Sequence, residues 1–280
     1  MIEVVSPGFF TTIQDEGRYG YRSLGIPKSG PMDELGFEMA NILLFHPTYK
    51  SVFECTMKGP TLVLHKPLQF VLTGGRINAK LDNVRLRMNK IYNAKKGDIL
   101  SLGKVELGLR TYLRFWGKLT LENVFNSVSY YPQITSLSLL QKGNIFEITP
   151  FPEIPNANAH VRVQTDYLTS SILQVKAGPD WFKLSPKKQQ KLLTQQFPIR
   201  SQNRMGYQVE SPVKCSADSL KSQIVIPGMV QLSPSGMLLI ATADCQVTGG
   251  YLQVLILNKD ALSTLAQKHE GEKISFVIVK

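Results

Sequence analysis

Cysteine is scarce in this chain of 280 residues: Cys55, Cys215 and Cys245 are odd in number, far apart, and lack both a CxxC spacing and a close histidine. That excludes a disulfide framework and a structural zinc site, and three buried, reduced thiols are expected. Long apolar runs are missing too. No stretch approaches the roughly 18 apolar residues of a membrane span, and Met1 to Gly8 show neither the basic nor the apolar region of a signal peptide. A cytoplasmic protein with no membrane contact is expected. The histidines His46, His65, His160 and His269 lie outside every dense motif and no GxSxG elbow occurs, which argues against a Ser-His-Asp hydrolase.

A hydrophobic content of 43% is enough to bury a substantial core, and the length allows one large domain or two of ordinary size. The formal charge of +11 is spread along the chain, and its one dense run, Lys187, Lys188 and Lys191, sits in a helix-like segment with a solvated face. Nucleic acid is therefore not an expected partner. An anionic small substrate or an acidic partner accounts for the charge equally well.

Short β-type runs dominate: Leu62–Leu64, Gln69–Leu72, Ile224–Ile226, Leu238–Ile240 and Ile274–Val279, punctuated by Gly, Pro, Asn or Asp. Val105 to Phe115 alternates, with Val105, Leu107, Leu109, Thr111, Leu113 and Phe115 on one side, and predicts a half-buried antiparallel strand on which Arg110 and Arg114 face the same way. Three helices are predicted. The first spans Met32 to Phe45, started by Ser29-Gly30-Pro31, with a stripe of Leu35, Met39, Ile42 and Leu43. The second follows Ser185-Pro186 and stops before Pro198, and the third spans Asp260 to His269. The fold class is mainly β with a few α-helices. The proline-rich stretch Thr149–Ala159 reads as an extended connector, dividing the chain into halves 1–150 and 151–280.

Two segments hold most of the candidate chemistry. Ser6 to Asp33 carries five glycines at 8, 17, 20, 25 and 30, with Gln14, Asp15, Arg18 and Asp33 as donors and acceptors. It is ordered loop material, able either to let a ligand approach the backbone or to form a turn system with an internal Asp15–Arg18 ion pair. Near the C-terminus, Gln231, Asp244, Gln246 and Thr248 interrupt apolar strands before Tyr251. Buried amides and carboxylates demand partners, and either a ligand or neighbouring loops would satisfy them. Upstream, Asn203-Arg204-Met205-Gly206-Tyr207 sets an arginine beside a flexible glycine and an aromatic, suited to a carboxylate or phosphate.

Taken in order, the strings TTIQDEGRYGY (11–21), GIPKSGPMD (25–33), AN (40–41), GP (59–60), NRMGY (203–207), IPGMVQLSPSG (226–236) and ADCQVTGGY (243–251) resemble the KipA, or allophanate-hydrolase-subunit-2, group of the biotin-dependent carboxyltransferase family. The resemblance covers Ser6 to Val279. It implies two cyclophilin-like β-barrel halves, a KipI-like subunit as partner and a third hydrolase subunit. Stand-alone members of this length are generally assigned to 5-oxoprolinase, which phosphorylates 5-oxoproline with ATP, with Mg as a possible companion, before hydrolysis to glutamate. For such a reaction the chemistry of the side chains makes Asp33, Arg204 and Asp244 the expected catalytic residues, and Gln14, Asp15, Arg18, Tyr207, Gln231, Gln246, Thr248 and Tyr251 the expected substrate contacts. Other relatives antagonise KipI or form the carboxyltransferase part of urea carboxylase; the latter would need a biotin-bearing partner, since this chain has no Met-Lys-Met attachment motif. Three departures stand out: Trp116-Gly117-Lys118 and Phe125–Ser129 replace a Gly-Gly and an arginine-bearing Gly-Ser-Arg-Ser-Thr turn, Gln208–Ser211 replaces Arg-Leu-Glu-Gly, and Ser222-Gln223 replaces a Ser-Glu pair.

Overall fold

The computed structural model describes residues 1–46, 48–136, 139–152, 165–215 and 222–279. Most of the expected connector, Glu153–Ala159, and His160 lie outside them. The chain divides into two compact units, Met1–Arg18 with Ser29–Leu168, and Tyr19–Lys28 with Thr169–Lys280. The mainly β character with three α-helices among the described residues agrees with the sequence pattern. None of these helices is long and apolar enough to cross a membrane.

In the first unit, a six-stranded sheet runs in the order Ile145–Phe146, Ile2–Ser6, Thr61–Leu64, Ile99–Ser101, Lys80–Leu81, Val84–Arg85. A five-stranded sheet runs Phe10–Gln14, Val52–Thr56, Val105–Phe115, Leu68–Ile77, Ile91–Ala94. Antiparallel register sets Ile13, Phe53, Leu113 and Leu72 side by side, and these join Ile2, Val4, Leu62, Leu64 and Leu100 in one core. Because side chains alternate, the next row, Thr12–Glu54–Tyr112–Thr73, lies on the opposite face. All four of these polar residues are fully buried. The Val105–Phe115 strand is thus buried on both faces from Leu109 onward, not half-buried as its alternation suggests. It is the central strand, and its second face, which carries Val52 and Val71 beside the polar row, is covered by the helix that follows.

Helix α1 (Glu34–Leu43) starts at Asp33, whose carboxylate accepts from Gly36 N at 2.9 Å. It buries Phe37 and Ala40, with Leu44 just beyond, against Val52, Val71, Tyr112 and Trp116. The predicted stripe is therefore rotated: Ile42 is 53% exposed. Gly36 explains the rotation. A Cβ there would sit 2.9 Å from the Tyr112 ring and 3.0 Å from Gly74 Cα, so the glycine face is the one that approaches the sheet.

The second unit is built on a closed barrel of seven strands: Ile172–Ala177, Leu252–Leu257, Met229–Leu232, Met237–Ala241, Gly206–Glu210, Phe197–Gln202 and Lys273–Ile278. Rows such as Tyr207–Ile240–Val230 and Val209–Leu238–Leu232 are buried, as the alternating pattern requires. Helix α2 (Pro186–Thr194) packs on the Lys273–Ile278 strand, and α3 (Lys259–Ala266), capped by Asn258 accepting from Ala261 N at 2.8 Å, packs on Ile172–Ala177. Of the apolar run Ile224–Ile226 only Ile224 is strand, in the segment Gln223–Ile224 paired with Thr248–Gly249. Pro227 and the left-handed Gly228 turn the chain away after it.

Candidate functional site

The alternation that fills the barrel leaves Gln208, Leu239 and Gln231 on the other face of three neighbouring strands, directly opposite one another. Between Val230 and Gln231 the pairing with Leu252–Leu257 slips by one residue, a bulge that re-aims the Gln231 side chain. There it lines a cavity of about 230 Å³ together with Asn203, Gln208, Leu239, Ala241 and Gln246. Gln231 is 2% exposed, and its Oε1 is buried without a hydrogen-bond partner. A buried amide oxygen left without a hydrogen bond costs about 1–3 kcal/mol. Gly249 makes room for it: a Cβ at that position would stand 2.7 Å from Gln231 Oε1.

The rim of this cavity is held by a buried ion pair. Arg204 Nε donates to Asp244 Oδ2 at 2.7 Å and Nη2 to Asp244 Oδ1 at 3.0 Å, the bidentate geometry that suits guanidinium and carboxylate. The Arg204 carbonyl accepts from Thr242 Oγ1 at 2.7 Å and from Asp244 N at 2.8 Å. Asn203 Oδ1 closes the hairpin by accepting from Met205 N and Gly206 N at 2.8 and 3.1 Å. The arrangement fixes Asn203 and Gln246, on two different loops, beside Gln231. Chemically, the cavity presents the amide side chains of Asn203, Gln208, Gln231 and Gln246, with no charged side chain lining it among the described residues.

The other predicted site residues are distributed. Tyr207 also lines the cavity; its side chain is buried, with the hydroxyl donating to the Lys268 carbonyl at 3.2 Å. Thr248 is exposed on its short strand, and Tyr251 is 42% exposed. In the first unit, Asp15 and Arg18 converge on one segment. Asp15 accepts from Gly17 N at 2.9 Å, Val128 N at 2.8 Å and Ser129 Oγ at 2.6 Å, and Arg18 donates to the Ser129 carbonyl. That segment is the stretch whose arginine-bearing turn the sequence lacks. Gln14 Nε2 donates to Thr12 Oγ1 at 3.0 Å while its Oε1 is buried without a partner.

Asp33 belongs to a buried network that sequence reasoning missed. Tyr112 Oη accepts from Asp33 N and donates to Glu54 Oε2, both at 2.8 Å; Glu54 Oε2 also accepts from Met32 N at 2.8 Å. Tyr167 Oη donates to Asp33 Oδ2 at 2.9 Å. Burial first, then the carboxylates of Glu54 and Asp33, push the Tyr112 phenol well above its usual range, and burial and Asp33 do the same for Tyr167. Both phenols therefore act as donors that hold Asp33 and Glu54. The available signal was Glu54 itself, a charge inside the apolar run Val52–Cys55.

A family model described as "Carboxyltransferase domain, subdomain A and B" matches residues 24–278. The chain belongs to that family. Among carboxyltransferase-domain proteins it is 27% identical over 284 residues to the C subunit of 5-oxoprolinase from Escherichia coli (strain K12), covering 99% of this chain and 91% of that protein. It is 25% identical over 313 residues to urea amidolyase of Lachancea kluyveri, covering 98% of this chain but 17% of that one. Its fold matches the crystal structure of Kluyveromyces lactis urea carboxylase with a TM-score of 0.89 at 23% identity, over 100% of this chain and 27% of that chain. The carboxyltransferase domain thus spans most of the first relative and about a quarter or less of the other two.

Proposed function

We propose that this chain belongs to a 5-oxoprolinase-type complex and holds the substrate lactam in the Gln231 cavity. A KipI-like subunit and a third hydrolase subunit complete the ATP-dependent opening of 5-oxoproline to glutamate, in the cytoplasm. The observation that carries this reading is a cavity whose polar side chains, Asn203, Gln208, Gln231 and Gln246, are mostly amides. Amide side chains both donate and accept, which suits the N–H and the carbonyl of a lactam. The relatives named for 5-oxoprolinase support the substrate class.

In this reading ATP supplies the phosphoryl group that activates the lactam oxygen, because resonance otherwise leaves the amide carbon a poor electrophile. The Gln231 cavity does not suit the nucleotide. It is smaller than the about 300–1,000 Å³ of sites for drug-sized ligands. Among the described residues no group of three or more His, Cys, Asp or Glu side chains could hold a metal ion, so Mg has no ready carboxylate cluster there either. This chain's contribution is then to bind and orient: the amides of the cavity hold the lactam, and Arg204–Asp244 fixes the loops.

The uncharged lining favours a second reading, a neutral urea-like substrate, which fits the relatives named urea amidolyase. Titration calorimetry of the chain with its partner separates the two. The first reading predicts binding of 5-oxoproline, weakened at least about tenfold by Gln231→Leu, or about 1.4 kcal/mol. Binding of urea alone would replace it with the second.

A further inference from the structure

Arg22 lies in the glycine-rich motif of residues 6–33, within a segment, Tyr19–Lys28, that packs with the second unit although the chain on both sides of it belongs to the first. A single turn of 3-10 helix, Arg22–Leu24, holds it: Leu24 N donates to the Tyr21 carbonyl and Gly25 N to the Arg22 carbonyl, both at 3.0 Å. Gly25 closes the turn at φ 79°, a left-handed value that favours glycine.

From this turn the half-buried Arg22 side chain reaches the loops behind the Gln231 cavity. Its Nη2 donates to the Val225 carbonyl, and the guanidinium also bonds the Cys245 thiol, whose ionisation burial opposes and Arg22 favours. Val225 and Cys245 are both fully buried. Val225 N in turn donates to the Val247 carbonyl at 3.0 Å, and Ile224 pairs with Thr248. Gln246, which lines the cavity, therefore sits between Cys245, held by Arg22 directly, and Val247, held through Val225. Val225 and Cys245 share one buried cluster with Ala241, another lining residue. A guanidinium carries five donors in a fixed plane, and charged donors make stronger hydrogen bonds than neutral ones, so one arginine can tie two segments together. Both of its partners are uncharged, and removing it leaves neither with an unpaired charge.

We propose that Arg22 is a positioning residue of the Gln231 cavity: it fixes the Cys245–Val247 loop and thereby the Gln246 amide that faces the ligand. Arg22 is not among the lining residues, so it acts on the ligand through Gln246. The proposal rests on that cavity being the ligand site, as argued under the proposed function.

The test compares wild type, Arg22→Ala, Arg22→Lys, Gln246→Ala and the double variant of Arg22→Ala with Gln246→Ala, each as the full chain co-purified with its partner. In Arg22→Ala, hydrogen exchange should quicken at least tenfold at the amides of Val225 and Cys245 and stay unchanged in the barrel strands Gly206–Glu210 and Met237–Ala241. Titration calorimetry with 5-oxoproline and with urea should show Arg22→Ala weakening at least fivefold whichever of them the wild type binds. Arg22→Lys, which keeps a charged donor, should recover part of that loss. The double variant should bind no more weakly than Gln246→Ala alone, an outcome that a merely structural role would not produce. Unchanged exchange in Arg22→Ala, or losses that add in the double variant, overturns the proposal while leaving the cavity reading in place. A wild type that binds neither ligand contradicts the cavity reading itself and overturns both.

Discussion

Arg204 and Asp244 lie forty positions apart in sequence and face each other through two hydrogen bonds of 2.7 and 3.0 Å, with side chains 7% and 5% exposed. The pair holds both members in a fixed geometry, so the arginine is a rim fixture of the Gln231 cavity before it is a substrate clamp. Removing one partner strips the other, a buried charge, of its bidentate contact. Arg204→Ala or Asp244→Ala should each cost about 3–5 kcal/mol in denaturant unfolding. The double variant should lose less than the sum, and a strictly additive result would contradict the pairing.

Gln231 makes the opposite prediction. Its Oε1 has no partner to lose, so Gln231→Leu should change stability by less than about 1.5 kcal/mol while abolishing most ligand binding. Gly249→Ala reaches the same atom from the other side. The new methyl, 2.7 Å from Oε1, should displace the amide and weaken binding about tenfold, read by calorimetry.

Asp33 and Tyr167 test the first unit. Asp33→Ala removes the cap of α1 and the acceptor of the Tyr167 hydroxyl, and should cost at least the about 0.5–2 kcal/mol of a lost cap. Asp33→Asn retains a capping oxygen and should recover most of that loss. If Asp33→Asn keeps stability but removes all activity of the assembled complex, the carboxylate has a chemical role beyond capping.

The thiols report the packing. Burial pushes Cys55 up to about 12, and burial also raises Cys245 against the opposing pull of Arg22. Cys215 is only partly buried. A disulfide reagent at pH 9 should therefore modify Cys215 first, and Cys55 only as the chain opens. An unfolded thiol ionises near about 8.5, so above that pH the unfolded state releases a proton that folded Cys55 keeps until about 12. Stability should fall across that window as pH rises, and Cys55→Ser should flatten the slope.

The sequence made the mainly β fold and the three helices legible, because period-2 and period-3.6 patterns and their caps are local. It did not reveal which helix face is buried, since Gly36 decides that through contacts with Tyr112 and Gly74 from distant strands. The Thr12–Glu54–Tyr112–Thr73 row was hidden for the same reason: it exists only in the register of four strands. Gln231 and Gln246 stood out as amides in apolar strands, but Asn203 and Gln208 did not, because only the hairpin geometry brings them to the cavity.

The most direct measurement is ATP hydrolysis by this chain co-purified with its KipI-like partner, with and without 5-oxoproline. The account predicts hydrolysis that requires both chains and the substrate and that Gln231→Leu suppresses in a folded complex. A stable complex that hydrolyses no ATP with 5-oxoproline present would contradict it and leave a regulatory binding role.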